Sequence, residues 1–133
     1  MIHGLDHVQL AMPAGSEDPA RRFYVDVLGL IEVPKPPTLT GRGGCWFQLP
    51  DGRQLHLGVD AGFTAARKAH PALRTPLLDD LAARLTAAGF PVTWDTELAP
   101  ARRFYTADPF GNRLELVEAS LYNPQDDPTV TSR

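Results

Sequence analysis

An alternating pattern of apolar and polar residues marks the beginning of the chain. In the segment LDHVQLAM, residues 5 to 12, the apolar side chains of Val8, Leu10 and Met12 would lie on one face of an extended backbone. His7 would lie on the opposite face. Because strict alternation is typical of a half-buried strand, the pattern predicts a strand whose polar face carries a histidine.

The spacing of apolar residues then changes from two to three or four, which predicts a helix. Phe23, Tyr24 and Val27 fall on one stripe of this helix. Asp18, which precedes a proline, is a candidate N-cap, and Gly29 is placed to end the helix. The segment is therefore expected to bury one face against the preceding strand.

Two further strand signals complete the first half. IEVPK at 31–35 predicts a brief strand, and residues 44–59 predict a hairpin. The turn of this hairpin would be Pro50-Asp51-Gly52. The first half is thus expected to run strand, helix, strand, strand, strand.

The second half repeats this order. A helix is predicted between Thr75, its candidate N-cap, and Gly89, its candidate end. Strands are predicted on either side of it, at 70–75 and 91–98, and a hairpin follows at 102–118. The predicted core leucines of this helix are Leu77, Leu81 and Leu85.

Aligning the two halves indicates an internal duplication. Gly52 in the first hairpin aligns with Gly111 in the second, and His56 aligns with Glu115. The sequence therefore predicts an α+β fold built from two repeated modules. The expected boundaries are a single domain at 1–120, modules at about 3–60 and about 69–119, and a polar C-terminal tail at 121–133.

Four polar side chains occupy matching positions of the two modules: His7, His56, His70 and Glu115. Taken singly, each has an ordinary structural explanation, either a histidine on a strand face or loop edge, or a carboxylate paired with a nearby arginine. Together, imidazoles and a carboxylate are a typical donor set for a divalent transition metal. We therefore expect a metal site whose ion could act as a Lewis acid or activate bound water.

Aromatic and basic residues on the same strands are candidates for binding a substrate. Of Trp46 and Phe47, one is expected to face inward. Tyr105 could donate its hydroxyl to a substrate oxygen, or pack as an ordinary strand tyrosine. Arg103 could hold a carboxylate or phosphate with its guanidinium fork, or stay solvated.

Composition narrows the range of partners. The 133 residues are 43% hydrophobic and 22% charged, which is typical of a globular protein. A net charge of −3 without a basic stripe argues against a nucleic-acid partner. The single cysteine, Cys45, cannot form an internal disulfide. Since no signal-peptide pattern and no long apolar run occur, a cytoplasmic location without a membrane span is expected.

The chain resembles the vicinal oxygen chelate superfamily, which includes glyoxalase I, fosfomycin resistance thiol transferases, bleomycin resistance proteins and extradiol dioxygenases. The resemblance extends from Leu5 to Glu118. It rests on LDHVQL, RRFYVDVLGL, LHLGV, KAHPAL and, most specifically, RFYTADPFGNRLELVE. It implies tandem βαβββ modules whose curved mixed sheet surrounds a central cavity and a divalent metal.

The resemblance also implies residue roles. His7, His70 and Glu115 would take the usual ligand positions, and His56 would be a further ligand or a general base. Either His56 or Glu115 would move the proton. The ion would be Zn, Ni, Mn or Fe. The leading implied function is a glyoxalase-like lyase or isomerase, expected as a homodimer, that acts on a small substrate chelated through oxygens. The alternatives are a metal-free drug-binding protein of bleomycin resistance type, a thiol transferase and a dioxygenase.

Overall fold

Two four-stranded mixed sheets form the framework, one from each half of the sequence. A computed structural model describes residues 1–119, so the tail predicted at 121–133 lies outside the described residues. The first half contains β1 His7–Met12, α1 Glu17–Arg21 continued by a π-helical segment Arg22–Val27, β2 Ile31–Val33, a 3-10 helix Pro37–Arg42, β3 Cys45–Gln48 and β4 Gln54–Val59. The second half contains β5 Ala72–Thr75, α2 Leu78–Ala87, β6 Thr93–Asp95, β7 Arg103–Ala107 and β8 Arg113–Glu118.

The two sheets have the same topology. The strand order is β1-β4-β3-β2 in sheet one and β5-β8-β7-β6 in sheet two. In each sheet the first strand is parallel to the last strand of its module and the other pairs are antiparallel. The predicted α+β fold of tandem βαβββ modules is therefore confirmed.

The leucines that flank the candidate site residues face the core. Leu55 and Leu57 on either side of His56 are each 1% exposed, and Leu114 and Leu116 on either side of Glu115 are at most 2% exposed. They pack in one hydrophobic cluster with residues of both helical segments. Because side chains alternate along a strand, this burial leaves His56 and Glu115 on the opposite faces of their sheets.

The first helix begins earlier than predicted. Its N-cap is Ser16, and Asp18 instead lies in the first turn, where it pairs with Arg21. Pro19 is tolerated there because the first-turn N–H groups have no partner within the helix. The predicted end is confirmed, since Gly29 has a φ of 79°.

The second helix begins later than predicted, and one of its predicted core residues is wrong. Thr75 ends β5 and accepts a hydrogen bond from the Leu77 amide at 3.1 Å, but the helix starts only at Leu78. Leu77 is consequently 60% exposed. Leu78, with Ala82 and Leu85, forms the buried stripe instead, because Leu77 precedes the first helical residue in a non-helical conformation and does not follow the helical periodicity.

A hydrogen-bonded network joins the two modules. The Tyr24 hydroxyl donates to Asp108 Oδ2 at 2.7 Å across the sequence halves. Asn112 Nδ2 donates to the same oxygen at 2.9 Å and to the Ala11 carbonyl at 2.8 Å. These contacts attach the β7–β8 turn to both α1's continuation and β1. None of the helices within residues 1–119 is long and apolar enough to cross a membrane.

Candidate metal centre

Three aromatic rings are stacked on the polar face of sheet one. The His56 ring lies 4.1 Å from the Trp46 ring, with 2° between the planes, and 4.3 Å from the His7 ring, with 19° between them. Trp46 is directly opposite His56 in the β3–β4 register, and β1 brings His7 beside it. This stack leaves His56 only 4% exposed.

His56 is held as a neutral imidazole. Burial, and then the neighbouring His7, lower the pKa of His56 to about 4. Its Nε2 lies 2.8 Å from the Gln54 Oε1, and a carbonyl oxygen only accepts, so Nε2 carries the proton. His56 therefore contributes a stacking surface and a single lone pair on Nδ1, while its Nε2 is occupied by Gln54.

His7 has the arrangement of a metal-binding histidine. Its Nδ1 is 2.8 Å from Asp6 Oδ2, which favours a proton on that nitrogen. The lone pair of Nε2 is then left for another partner. The ring is exposed, and the stack on His56 restrains its orientation.

His70, which lies two residues before β5 rather than within it as predicted, faces Glu115 of sheet two with a similar arrangement. His70 Nδ1 lies 2.7 Å from the Lys68 carbonyl oxygen, so this nitrogen carries a proton. Its Nε2 lies 3.1 Å from Glu115 Oε1. In neutral His70 these two atoms are both acceptors, and their close approach is favourable only with a cation between them, either a proton or a metal ion.

Arg103 binds the other oxygen of Glu115. Its Nη1 is 3.4 Å from Glu115 Oε2, and its Nη2 is 3.5 Å from Asp95 Oδ2. Glu115 is 7% exposed, and a carboxylate so buried needs such compensation. The guanidinium that was expected to hold a substrate is thus shared between two carboxylates of its own chain.

Tyr105 lies beside this pair. It is directly opposite Glu115 in the β7–β8 register, and its ring meets the His70 ring edge-on at 5.4 Å. The guanidinium carbon of Arg113 lies 4.0 Å from the centre of the Tyr105 ring. Because side chains alternate along β8, Arg113 lies on the same face of the sheet as Glu115. No function was predicted for Arg113 from the sequence.

Phe47 and Cys45 lie on the core side of β3. Phe47 is fully buried and its ring stacks on Tyr24 at 5.3 Å, so Trp46 is the one of the two aromatic residues that faces the candidate site. Phe47, which was expected as a substrate contact, therefore lies on the face of β3 opposite the candidate site. Burial raises the pKa of the Cys45 thiol to about 11, which leaves no thiolate near neutral pH.

The four candidate ligands form two pairs rather than one cluster. His7 and His56 belong to sheet one, whereas Glu115 belongs to sheet two and His70 lies beside it, just before β5. Within residues 1–119, no group of three or more histidine, cysteine, aspartate or glutamate side chains is placed to bind one ion. A cavity of about 730 Å³, lined by β1 and by residues 69–74, includes both His7 and His70 in its wall.

The donor atoms nevertheless fit a divalent transition metal. His7 and His70 each have one ring nitrogen directed to an oxygen acceptor, which is how metal-binding histidines are usually oriented. Glu115 Oε1 is not bonded to Arg103 and is directed at His70. These three residues would hold an ion if both pairs met at one site, with His56 supporting His7.

Comparison with known proteins identifies the sequence family. Residues 4–116 match the Glyoxalase/Bleomycin resistance protein/Dioxygenase superfamily. No functionally curated protein matches the chain.

Solved structures share the fold over nearly the whole chain. A glyoxalase family protein from Bacillus anthracis is 42% identical, with a TM-score of 0.85 over 90% of this chain and 98% of that one. A lactoylglutathione lyase from Agrobacterium tumefaciens is 25% identical, with a TM-score of 0.63 over 87% of this chain and 95% of that one. A fosfomycin resistance protein from Listeria monocytogenes shares the fold at 18% identity, with a TM-score of 0.72 over 91% and 97% of the respective chains. From the matched sequence and the shared architecture, this chain belongs to the glyoxalase/bleomycin resistance protein/dioxygenase superfamily.

Proposed function

We propose that the protein is a divalent-metal-dependent, glyoxalase-like enzyme of the lyase or isomerase class. Its ligands are His7, His70 and Glu115, and its substrate is a small molecule bound through two neighbouring oxygens. The observation that carries this proposal is the 3.1 Å approach of His70 Nε2 to Glu115 Oε1 while His70 Nδ1 is committed to a carbonyl. A proton or a metal ion between these two atoms would satisfy that geometry, and as a metal-binding set the donors suit Zn, Ni, Mn or Fe.

The bound ion would act as a Lewis acid toward the substrate oxygens. The chain's own groups account for the rest of the chemistry. Glu115 would move a proton between adjacent carbons of the substrate, while Arg103 restrains its Oε2. The Tyr105 hydroxyl donates to a substrate oxygen, and Trp46 provides an apolar wall.

His56 serves mainly to position His7. Its ring is clamped between Trp46 and His7, and its Nε2 is committed to Gln54. A pKa of about 4 keeps it neutral near pH 7, so it adds no charge that would repel a metal ion from His7. We therefore assign His56 to holding the ligand His7 in place, rather than to binding the metal directly or acting as a general base.

A second copy of the chain completes the site in this proposal. The two ligand pairs lie on separate sheets and do not form a group of three within residues 1–119. Both β1 and β5 have one edge without a strand partner in the described part of the chain, and these edges border the cavity. A homodimer that brings His7 of one chain to His70 and Glu115 of another would supply all three ligands.

Metal analysis of protein purified without a histidine tag tests the proposal. We expect about one transition-metal ion per chain and a reaction that is lost on chelation and restored by metal. Glu115→Gln should lower the affinity for the metal at least about tenfold. Glu118→Gln, which removes an exposed carboxylate on the same strand, should leave that affinity unchanged. A protein that binds no ion after reconstitution with each candidate metal would refute the enzyme. Assays with hemithioacetals, and with epoxides plus a thiol, separate lyase or isomerase activity from thiol transfer.

A metal-free binding protein of bleomycin resistance type is the second candidate. The flat stack of Trp46, His56 and His7, next to a cavity of about 730 Å³, is the feature that favours it. Planar ring systems bind well on such aromatic surfaces. This candidate predicts quenching of Trp46 fluorescence by a planar drug with the same affinity in the presence and absence of metal chelators.

A further inference from the structure

We infer that Arg113 anchors an anionic group of the substrate, so that the substrate class carries a carboxylate, phosphonate or phosphate beside its chelating oxygens. This inference rests on the proposed function and specifies its substrate. It assigns the specificity contact to Arg113 rather than to Arg103.

Arg113 presents an uncommitted guanidinium. Its guanidinium carbon stacks at 4.0 Å over the Tyr105 ring, and among residues 1–119 it makes neither a hydrogen bond nor an ion pair. Stacking on an aromatic face fixes the plane of a guanidinium but leaves its N–H donors free at the edge. The side chain is half-buried, so it is held in place rather than extended into solvent.

The neighbouring arginines, Arg102 just before β7 and Arg103 at its start, are both paired with carboxylates. Arg103 is shared between Glu115 and Asp95. Arg102 binds Asp79 and Glu118. Arg113 therefore differs from them in having no carboxylate of its own among the described residues, although Glu115 lies only two positions away. An arginine that merely neutralised Glu115 would bond to it, as Arg103 does.

The position of Arg113 suits a bifunctional substrate. It shares a strand face with Glu115 and lies two residues away, which corresponds to about 7 Å along β8. Tyr105 bridges the two, because it is opposite Glu115 and under Arg113. A small molecule whose oxygens are held near Glu115 can place an anionic group at Arg113 and form a two-point, charge-assisted contact.

Catechol and 3,4-dihydroxybenzoate form a matched pair of probes for this contact. Both offer the same two neighbouring oxygens, but only the second carries a carboxylate at the far side of the ring. Their dissociation constants are measured by calorimetry on the metal-loaded protein. The variants are Arg113→Met, which keeps the aliphatic stem, Arg113→Lys, which keeps the charge, and Arg22→Met as a control on the exposed surface of the helix.

The readout is the preference for 3,4-dihydroxybenzoate over catechol, since a general change in fold or metal content would affect both probes. We expect Arg113→Met to reduce this preference about tenfold, Arg113→Lys to restore part of it, and Arg22→Met to leave it unchanged. The preference should also weaken as ionic strength rises. An unchanged preference in Arg113→Met, at unchanged metal content, would overturn the inference.

Failure of the proposed function gives a different result. If the parent protein takes up no metal, the proposed metal-dependent function is refuted. The same variants can then be titrated with inorganic phosphate in the absence of metal. Weaker phosphate binding by Arg113→Met than by Arg22→Met would support an anion site at Arg113 even without a metal. Equal binding by the parent and both variants would overturn it.

Discussion

At the scale of single residues, two buried carboxylates on one hairpin have different partners. Glu115 is compensated by the basic side chains of His70 and Arg103. Asp108, 4% exposed, is instead surrounded by neutral donors, including the Tyr24 hydroxyl and the Asn112 amide group. Burial raises the pKa of Asp108 despite these hydrogen bonds. Asp108 thus has the environment of a structural residue, and Glu115 that of a candidate ligand.

Tyr24→Phe should lower the free energy of unfolding by about 1–3 kcal/mol, because it leaves a buried oxygen of Asp108 with one donor fewer. Urea unfolding followed by circular dichroism measures this change. A double-mutant cycle with Asp108→Ala, which removes the acceptor oxygens, isolates the coupling between the two side chains. A coupling indistinguishable from zero would mean that this hydrogen bond does not stabilise the junction of the modules.

The stability contribution of Asp108 should depend on pH with a defined sign. Its folded-state pKa is raised above 3.8, so its contribution is present below that pH and is lost as the pH rises through the folded pKa. The parent should therefore lose stability relative to Asp108→Asn over this interval. Urea unfolding of both proteins from about pH 3.5 to 7 measures the difference. A difference that is constant, or that changes in the parent's favour as pH rises, would contradict the prediction.

At the scale of elements, the entry into β3 depends on close packing of backbone against backbone. Gly44 has a φ of 89°, and a Cβ placed on it would collide with the Leu57 carbonyl oxygen of β4. The Gly44 amide donates to Glu17 Oε1 at 2.9 Å, which lowers the pKa of Glu17 and ties this turn to α1. A glycine is required here both for its conformation and for the lack of a side chain.

Gly44→Ala should therefore destabilise the protein by about 2 kcal/mol or more, since the strained φ and the collision add together. Gly41→Ala is the matched control, because a Cβ there meets no atom within 4 Å. Its effect should stay within about 0.5 kcal/mol. Thermal unfolding monitored by calorimetry compares the two variants. Equal stability would show that β3 and β4 separate at this point without cost.

At the scale of the whole molecule, the proposed centre is divided between two sheets. The helical segments and the inner faces of both sheets form one core within the chain. The two ligand pairs lie on the other faces of the sheets and remain separate within residues 1–119. In our proposal the metal therefore binds only when two chains assemble, because neither chain alone supplies all three ligands at one place.

Mixed dimers test this division. His7→Ala and Glu115→Ala should each reduce metal binding at least about tenfold when purified alone. When the two variants are co-expressed with different tags and isolated as the mixed dimer, one site should combine the intact His7 of one chain with the intact Glu115 of its partner. Metal analysis should then find about one ion per dimer. No recovery of metal in the mixed dimer would contradict a site shared between chains.

The sequence by itself determined the order of elements and the faces of the strands. Alternation placed His7, His56 and Glu115 opposite the leucines of their strands, because the backbone of a strand turns successive side chains to opposite sides. The repeated strand, helix and hairpin signals were sufficient for the α+β fold, since these signals are local. Gly29 ended its helix as expected, because a positive φ is a local requirement.

Only the tertiary structure decided which of several similar residues met which partner. Phe47 rather than Trp46 entered the core, Leu78 replaced Leu77 in the buried stripe, and Arg103 rather than Arg113 bonded to Glu115. Each choice depends on how segments far apart in sequence are rotated and spaced against one another, and local periodicity does not contain that information. The separation of the ligand pairs has the same origin, because packing of the sheets and helices, rather than any single strand, sets the distance between their outer faces.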